Sequence, residues 1–224
     1  MPHPFQLIES VPTQEGELSL HRRGKDEFML LVGGRVLMTT SRTKSELLLA
    51  HHGCGLIRGR NKPRVLMGGL GLGFSLKAAL ETLPPSATVV VAELHPVVIK
   101  WCQGELAESN GGAALDRRVQ LVKGDVQAEV ARAAAQNQPF DAILWDLYVG
   151  PTARGGDQHP LYGKKSIQAV HRALCPAGVF GVWGEGKSRA FEQRLMSCGF
   201  QAELVENRGG GHRHSVYFGT KRKA

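Results

Sequence analysis

The sequence predicts an α/β protein with a doubly wound, mostly parallel seven-stranded sheet and a small β-unit at its N-terminus. From Arg64 onward, short apolar runs alternate with segments of helical character, which is the pattern of a parallel sheet joined by crossover helices. Two last strands joined by a glycine-rich turn predict one antiparallel strand near the sheet edge. A chain of 224 residues can bury one large core with a small appendage.

The N-terminal β-unit is predicted over residues 1–44, ahead of the parallel α/β domain at residues 45–224. Glu17–His21 and Glu27–Val32 have the composition of strands. Gly33-Gly34 then forms a hairpin turn that leads into a third strand, Arg35–Thr40. A short helix is expected at residues 45–52, before a basic linker.

The second domain is predicted to alternate strands and helices. The helix after its second strand starts at a proline, which is favoured in the first turn of a helix. The predicted strands are Arg64–Met67, Thr88–Ala92, Val119–Val122, Phe140–Trp145, Val179–Trp183, Gln201–Glu206 and Ser215–Gly219. The predicted helices are Phe74–Leu80, Pro96–Ala107, Val126–Gln136, Lys165–Leu174 and Ala190–Cys198.

The glycine-rich segment after the first of these strands is the strongest functional signal in the chain. Gly69, Gly71 and Gly73 lie between a buried strand and a helix, and we call residues 69–73 the glycine loop. Glycine lets the backbone turn sharply and approach a ligand without a Cβ atom in the way, and the following helix offers unpaired N–H groups. The loop predicts a nucleotide or nucleoside site, with a tight turn that holds no ligand as the structural alternative.

Acidic residues follow the next three strands. Glu93 comes about twenty residues after the glycines, at the end of the second strand, where a carboxylate can bind both hydroxyls of a ribose. Asp125 follows the third strand and Asp146 follows the fourth. Because ligands bind at the carboxyl ends of strands in open α/β sheets, we expect the glycine loop and these acids to face one crevice.

The overall composition argues against several classes of protein. Hydrophobic residues make up 42% and charged residues 21% of the chain, and no apolar run is long enough to span a membrane. The N-terminus lacks the features of a signal peptide and the four cysteines are isolated, so we expect a cytoplasmic protein without disulfides. His212 and His214 have a spacing that could bind a metal, but no third ligand is nearby, so no metal site is predicted.

The formal net charge of +8 raises the question of nucleic-acid binding. Basic residues gather at 22–25, 58–64 and 221–223, either as an electrostatic footprint for RNA or as a solvated basic surface. Aromatic residues are not interleaved with these charges, as a platform for single strands requires. The solvated surface is therefore the favoured interpretation.

Together, the motifs resemble the class I S-adenosylmethionine-dependent methyltransferase fold, and more narrowly its spermidine synthase (aminopropyltransferase) branch. The resemblance rests on residues 65–73, on Glu93, on Gly124-Asp125 and on the Phe140–Asp146 segment. Leu161-Tyr162 and residues 174–179 match that branch as well. The resemblance implies a Rossmann-like S-adenosylmethionine domain preceded by the small β-domain of those enzymes.

The resemblance also implies roles for individual residues. The glycine loop would hold the methionine-derived part of the cofactor, and Glu93 would accept hydrogen bonds from the ribose hydroxyls. Asp125 would accept a hydrogen bond from the adenine amino group, with Val126 beside the ring. Asp146 occupies the position of the catalytic acid, which deprotonates or orients the attacking amine.

Three departures from that branch bear on the substrate. Aminopropyltransferases carry an aspartate inside the glycine loop, where this chain has Leu72, and a second aspartate three residues after the catalytic one, where it has Val149. Their first helix carries a Tyr-His-Glu signature, in place of which stands Leu49-Ala50-His51. Because a diamine needs acids to neutralise two ammonium groups, the missing acids disfavour putrescine. Leu72 also favours ordinary S-adenosylmethionine, whose carboxylate suits a bare glycine loop.

These considerations predict a transferase that moves a methyl group from S-adenosylmethionine to an unidentified small-molecule acceptor, with Asp146 as general base or orienting residue. Two alternatives stay open. One is an aminopropyltransferase that uses decarboxylated S-adenosylmethionine and an amine, and the other is a non-catalytic module that binds a nucleoside or RNA. The N-terminal β-unit could serve as a contact in a homodimer.

Overall fold

The computed structural model describes residues 4–151, 159–206 and 214–223. An antiparallel meander comes first, and its four strands pair in chain order: β1 (Gln6–Thr13), β2 (Gly16–Arg23), β3 (Glu27–Val32) and β4 (Arg35–Thr39). The sequence predicted three of these strands and missed β1. The register of β1 shifts between Leu7 and Glu9, so its apolar residues do not keep the strict alternation by which a strand is recognised.

A seven-stranded sheet with helices on both faces follows the meander. Its strands are β5 (Arg64–Gly68), β6 (Thr88–Glu93), β7 (Val119–Lys123), β8 (Phe140–Trp145), β9 (Leu174–Gly184), β10 (Phe200–Glu206) and β11 (Ser215–Lys221). The helices are α1 (Lys44–Gly55), α2 (Phe74–Thr82), α3 (Pro96–Gln103), α4 (Val126–Ala135), α5 (Lys164–Ala173) and α6 (Arg189–Ser197). The strand order is β10-β11-β9-β8-β5-β6-β7, with β11 antiparallel to both of its neighbours. The predicted fold class is confirmed.

Apolar side chains fill both faces of this sheet. Along β5, Val65 and Met67 pack into the layer of α1, α2 and α3, whereas Leu66 packs into the layer of α4, α5 and α6. All three side chains are fully buried, and burying each one stabilises the fold by about 1.5–3 kcal/mol. A parallel sheet that is covered on both faces therefore needs strands that are apolar throughout, as this sequence has.

The strand order reverses between β5 and β8, which places the crevice of the sheet at their carboxyl ends. β5 continues through α2 to β6 on one side, and β8 has β9 on the other. The glycine loop starts where β5 ends, and Asp146 follows β8. The N–H of Asp146 donates a hydrogen bond of 2.9 Å to the carbonyl of Gly68, so the two segments lie side by side.

Two predicted boundaries differ from the structure by four residues or more. The strand expected to start at Val179 begins at Leu174, because Leu174 pairs with Phe140 of β8 and the ladder continues past Pro176. Ala177 takes a positive φ of 55°, which accommodates the irregular register there. The helix expected to reach Ala107 ends at residue 103, just before a glycine.

Hydrogen bonds connect the meander to helix α3 of the larger domain. The carboxylate of Glu9 on β1 accepts hydrogen bonds from the indole N–H of Trp101 (2.7 Å) and from the Lys100 ammonium (2.8 Å) on α3. The domain boundary between residues 44 and 45 stays a prediction. Across the described ranges, no helix is long and apolar enough to cross a membrane.

Candidate active site

A cavity of about 680 Å³ lies at the carboxyl ends of the central strands, with the meander forming one wall. A cavity of this size can enclose a drug-sized ligand. Six of the predicted site residues line it, namely Gly69, Gly71, Glu93, Asp125, Val126 and Asp146. The structure thus brings together residues that are up to 77 positions apart in the chain, as their placement at strand ends predicted.

The three glycines of the loop adopt backbone conformations that other residues avoid, with φ values of 85°, 52° and 87°. A Cβ atom on Gly69 would lie 2.5 Å from the backbone oxygen of Asp146, and one on Gly71 would lie 2.5 Å from the sulfur of Met38. Gly73 precedes α2 and packs against Asn110 instead of lining the cavity. Gly69 and Gly71 therefore form the cavity wall, while Gly73 shapes the turn into the helix.

Glu93 organises the glycine loop. Its side chain is 6% exposed, and its two carboxylate oxygens accept hydrogen bonds of 2.8 Å each from the N–H groups of Leu70 and His95. Burial raises the pKa of Glu93, while these hydrogen bonds act in the opposite direction. Because each carboxylate oxygen has a further lone pair, Glu93 retains the capacity to accept hydrogen bonds from a diol in the cavity.

Asp125 and Val126 form the wall at the start of α4. Asp125 is the N-cap of this helix, and its Oδ1 accepts a 2.9 Å hydrogen bond from the N–H of Gln127. Val126 is buried, and its side chain packs against Gly68 at the end of β5. In this arrangement, the exposed carboxylate can accept a hydrogen bond from the polar edge of a flat ring, and the aliphatic side chain can pack against the face of the same ring.

Asp146 has a strongly perturbed carboxyl group. The hydroxyl of Ser75, in the first turn of α2, donates a hydrogen bond to its Oδ2. Burial, and to a smaller extent the charge of Glu46, raise the pKa of Asp146 to about 7. A carboxyl group with this pKa exchanges a proton readily near neutral pH, which suits acid–base chemistry.

Glu46 is a site residue that the sequence analysis missed. It lies in the first turn of α1, is 7% exposed, lines the cavity, and accepts a 2.6 Å hydrogen bond from the Ser45 hydroxyl. Burial raises the pKa of Glu46, and the charge of His214 lowers it in part. Glutamate is common in the first turn of any helix, where it complements the helix dipole, so its position gave no functional signal.

The Tyr-His-Glu signature of the family corresponds to residues 49–51 of this helix, but the acid that lines the cavity lies one turn earlier. His51, which matches its third position, is exposed and lies 3.7 Å from the carboxylate of Glu81. Glu46 faces the cavity instead. The helix therefore presents a carboxylate to the site, although not where the signature places one.

The expectation that the pocket has lost most of its acids is also corrected. Glu15 and Glu185 line the same cavity as Asp146, and the N–H of Gly150 lies within 3.4 Å of a carboxylate oxygen of Glu185. Val149 contributes an apolar surface, as expected. Glu15 comes from a turn that carries no recognisable motif, which is why the sequence did not reveal it, whereas Glu185 follows β9 on the side of the sheet where the other strand-end acids lie.

The inference drawn from Leu72 loses its structural basis. Its side chain is 1% exposed and belongs to the hydrophobic core that packs around α2, and it is absent from the cavity lining. The residue type at this position therefore does not set the charge that a ligand meets here.

A histidine and a tryptophan complete the wall near the acids. The rings of Trp183 and His214 lie 5.1 Å apart between centroids, and both residues line the cavity. His212 lies outside the described residues. Within the described ranges, no group of three or more His, Cys, Asp or Glu side chains is arranged to hold a metal ion.

Several cations of the basic segments have acidic neighbours. Arg60 lies 3.4 Å from Asp141, and Lys25 lies 2.8 Å from Glu108. Such pairs reduce the positive field that these segments offer to a polyanion.

Comparison with known proteins supports the resemblance to the spermidine synthase branch. The chain is 31% identical over 168 residues to the polyamine aminopropyltransferases of Mycobacterium tuberculosis and Mycobacterium bovis, which covers 74% of this chain and 30% of each relative. A spermidine synthase in complex with the transition state analogue AdoDATO superposes with a TM-score of 0.76 and 19% identity, covering 97% of this chain and 73% of the other. The spermidine synthase of Thermotoga maritima gives 0.77 and 20%, covering 97% and 74%. The chain has a spermidine synthase-like fold.

This spermidine synthase-like chain spans less than a third of the length of the curated relatives that it matches. No family model matches it. The relatives favour the aminopropyltransferase alternative over the methyl transfer that the sequence analysis placed first. The cavity at the ends of β5 and β8 is the candidate active site of this fold.

Proposed function

We propose that this chain transfers an aminopropyl group from decarboxylated S-adenosylmethionine to a small-molecule amine. The observation that carries the proposal is that the carboxyl groups of Glu46 and Asp146 both line the cavity beside the glycine loop. The charge of Glu46 contributes to the raised pKa of Asp146. A buried pair of acids is unfavourable unless a cation neutralises it. The cavity therefore favours a positively charged ligand.

The charge of the donor distinguishes the two candidate reactions. Decarboxylated S-adenosylmethionine carries a sulfonium and an ammonium group, whereas S-adenosylmethionine carries an additional carboxylate that Glu46 and Asp146 would repel. When bound, the sulfonium compound supplies an activated carbon atom and a neutral thioether as leaving group. The negative charge of Glu46 and Asp146 therefore supports decarboxylated S-adenosylmethionine as the donor.

The remaining predicted residues fit the adenosyl end of such a donor. We propose that Glu93 accepts hydrogen bonds from the ribose hydroxyls, and that Asp125 and Val126 bind the adenine edge and face. Gly69 and Gly71 provide a wall without side chains along the sulfonium chain. The cavity volume of about 680 Å³ leaves room for donor and acceptor together.

Asp146 is proposed to act on the acceptor. Amines are mostly protonated near pH 7, and an ammonium group has no lone pair with which to attack. A carboxylate whose pKa lies near 7 can remove that proton, while Glu46 and Glu185 hold the positive charge of the incoming amine. Apolar side chains of Met38 and Trp183 exclude water from the same space.

Calorimetry tests the choice of donor. We expect decarboxylated S-adenosylmethionine to bind at least tenfold more tightly than S-adenosylmethionine, and Glu46→Gln to reduce this preference because it removes one of the two facing charges. Glu81→Gln is the matched control, since Glu81 is an exposed acid on α2 that pairs with His51. Tighter binding of S-adenosylmethionine would support methyl transfer and overturn the proposal. Failure to bind either donor or methylthioadenosine would leave the non-catalytic RNA-binding alternative.

A further inference from the structure

The proposed reaction releases one proton in each turnover, and this inference rests on that proposed function. The acceptor enters as an ammonium ion and must lose a proton to expose its lone pair. A nitrogen–carbon bond then forms as the carbon–sulfur bond breaks, and the bonding electron pair stays on the sulfur. The product amine leaves as an ammonium ion again, so one ammonium and one sulfonium give one ammonium, one neutral thioether and one proton. The site must return this proton to solvent.

The first acceptor of the proton is poorly placed to release it. Asp146 already accepts a hydrogen bond from Ser75 and interacts with Glu46, another buried acid. Both carboxyl groups have raised pKa values because of burial, so each holds a proton longer than an exposed carboxyl group does. A further group with a pKa near neutrality would speed the return of Asp146 to its basic form.

Three described histidines line the cavity, namely His95, His159 and His214. Of these, His214 is the one whose charge acts on Glu46. Its imidazole stacks near Trp183, lines the cavity, and interacts with the charge of Glu46. Its Nδ1 is buried and has no hydrogen-bond partner among the described residues. The acids that line the cavity together with His214 include Glu46 on α1, Asp146 after β8 and Glu185 after β9, and Arg35 on β4 is the one lysine or arginine of the described lining.

We propose that His214 receives the proton from the Asp146–Glu46 pair and delivers it to solvent. His214 directly precedes β11, the antiparallel strand, while Glu46 lies in the first turn of α1 and Asp146 follows β8. The three groups thus come from separate elements and converge on one side of the cavity. An imidazole can accept a proton on one ring nitrogen and release one from the other, which suits proton transfer from a partly enclosed acid to solvent. His214 acts on the pair of acids and is a proton-transfer residue, distinct from the groups that hold the donor.

The test compares His214→Gln and His214→Ala with His51→Gln. His51 lies on the same helix as Glu46 but is exposed and faces Glu81 outside the cavity, which makes it a matched histidine control. The assay follows methylthioadenosine release from decarboxylated S-adenosylmethionine, with putrescine, spermidine and a simple alkylamine as acceptor probes. We expect kcat near pH 7 to fall about tenfold to a hundredfold in the His214 variants, with KM changed less than twofold. Added imidazole should restore His214→Ala in part, and the pH profile should shift, while His51→Gln behaves as the wild type.

The kinetic outcomes separate the two proposals. If the wild type turns over and the His214 variants keep its kcat and pH profile, this inference is overturned and the proposed function stands. A loss of activity that imidazole does not restore and that raises KM also overturns it, since that result indicates a structural role. If the wild type transfers nothing to any of the amines, the proposed function is overturned and this inference with it.

Discussion

Replacement of Gly69 by alanine tests how closely the glycine loop packs against the candidate catalytic acid. Gly69 has a φ of 85°, and a Cβ atom there would lie 2.5 Å from the backbone oxygen of Asp146. Two separate costs follow. The left-handed backbone conformation is unfavourable for alanine, and the new methyl group must displace the backbone at the end of β8, which the adjoining strands hold in place.

The two costs can be estimated separately. A non-glycine residue in the left-handed region costs roughly 1–2 kcal/mol. Forcing an extra carbon into a packed site costs about 1–3 kcal/mol. The sum is about 2–5 kcal/mol, which corresponds to a fall in Tm of roughly 4–20 °C for a chain of this size, at about 2–4 °C per kcal/mol.

Gly59→Ala is the matched control for the first cost. Gly59 has a φ of 94°, but nothing lies within 4 Å of the position of its Cβ atom, so alanine there meets strain without a clash. Thermal unfolding of both variants, with and without methylthioadenosine, should show a larger loss for Gly69→Ala and weaker ligand stabilisation in that variant alone. Equal losses in the two variants would refute the close packing of the loop on Asp146.

Three further predictions concern the same site. Gly71→Ala should lose stability by unfolding assays, and Met38→Ala should recover most of that loss in the double variant, because the clash is with a flexible side chain; additive losses would contradict this. Glu93→Gln should destabilise the loop by about 1–3 kcal/mol, since an amide cannot accept hydrogen bonds at both ends, and should weaken methylthioadenosine binding at least tenfold by calorimetry. Retained affinity would limit Glu93 to a structural role. Asp146→Asn should gain stability relative to the wild type as pH rises from about 4 to about 7 in denaturant titrations, because the folded-state pKa of Asp146 lies above its unfolded value and ionisation is unfavourable only in the folded protein. A constant difference across that range would show that the pKa is not raised.

The sequence predicted the parallel sheet and the cavity wall well because both follow from local patterns. Apolar runs that end in glycine or an acid define where a strand stops, and the carboxyl ends of parallel strands meet at one edge. Gly69, Gly71, Glu93, Asp125 and Asp146 could all be placed in this way. The irregular strand β1 could not, because its register shift breaks the alternation on which strand prediction depends.

The charge of the acceptor pocket could not be predicted, because it depends on tertiary contacts. Glu46 looks like an ordinary first-turn residue of a helix, and Glu15 lies in the turn between two strands of the meander. They reach the cavity because the meander and α1 close over the sheet, which no local pattern encodes. The opposite error concerns Leu72. Its position in the glycine loop suggested a contact with the ligand, but its side chain points into the hydrophobic core.

The loss of an acid at a motif position and the total charge of the cavity are separate properties, and this distinction changes how the departures from the aminopropyltransferase pattern are interpreted. An acid that is missing at one position matters to a cationic ligand only if the total negative charge around the cavity falls. Here Glu15, Glu46 and Glu185 join Asp146 around the cavity and outnumber Arg35, the one lysine or arginine of its described lining, so the pocket remains acidic although Leu72 and Val149 are apolar. Recognition of an ammonium group depends on the field at its nitrogen, which carboxylates from several elements can supply equally well. Under the proposed function, the altered motifs therefore indicate a different arrangement of the acceptor within the cavity, and they are compatible with an amine as its substrate.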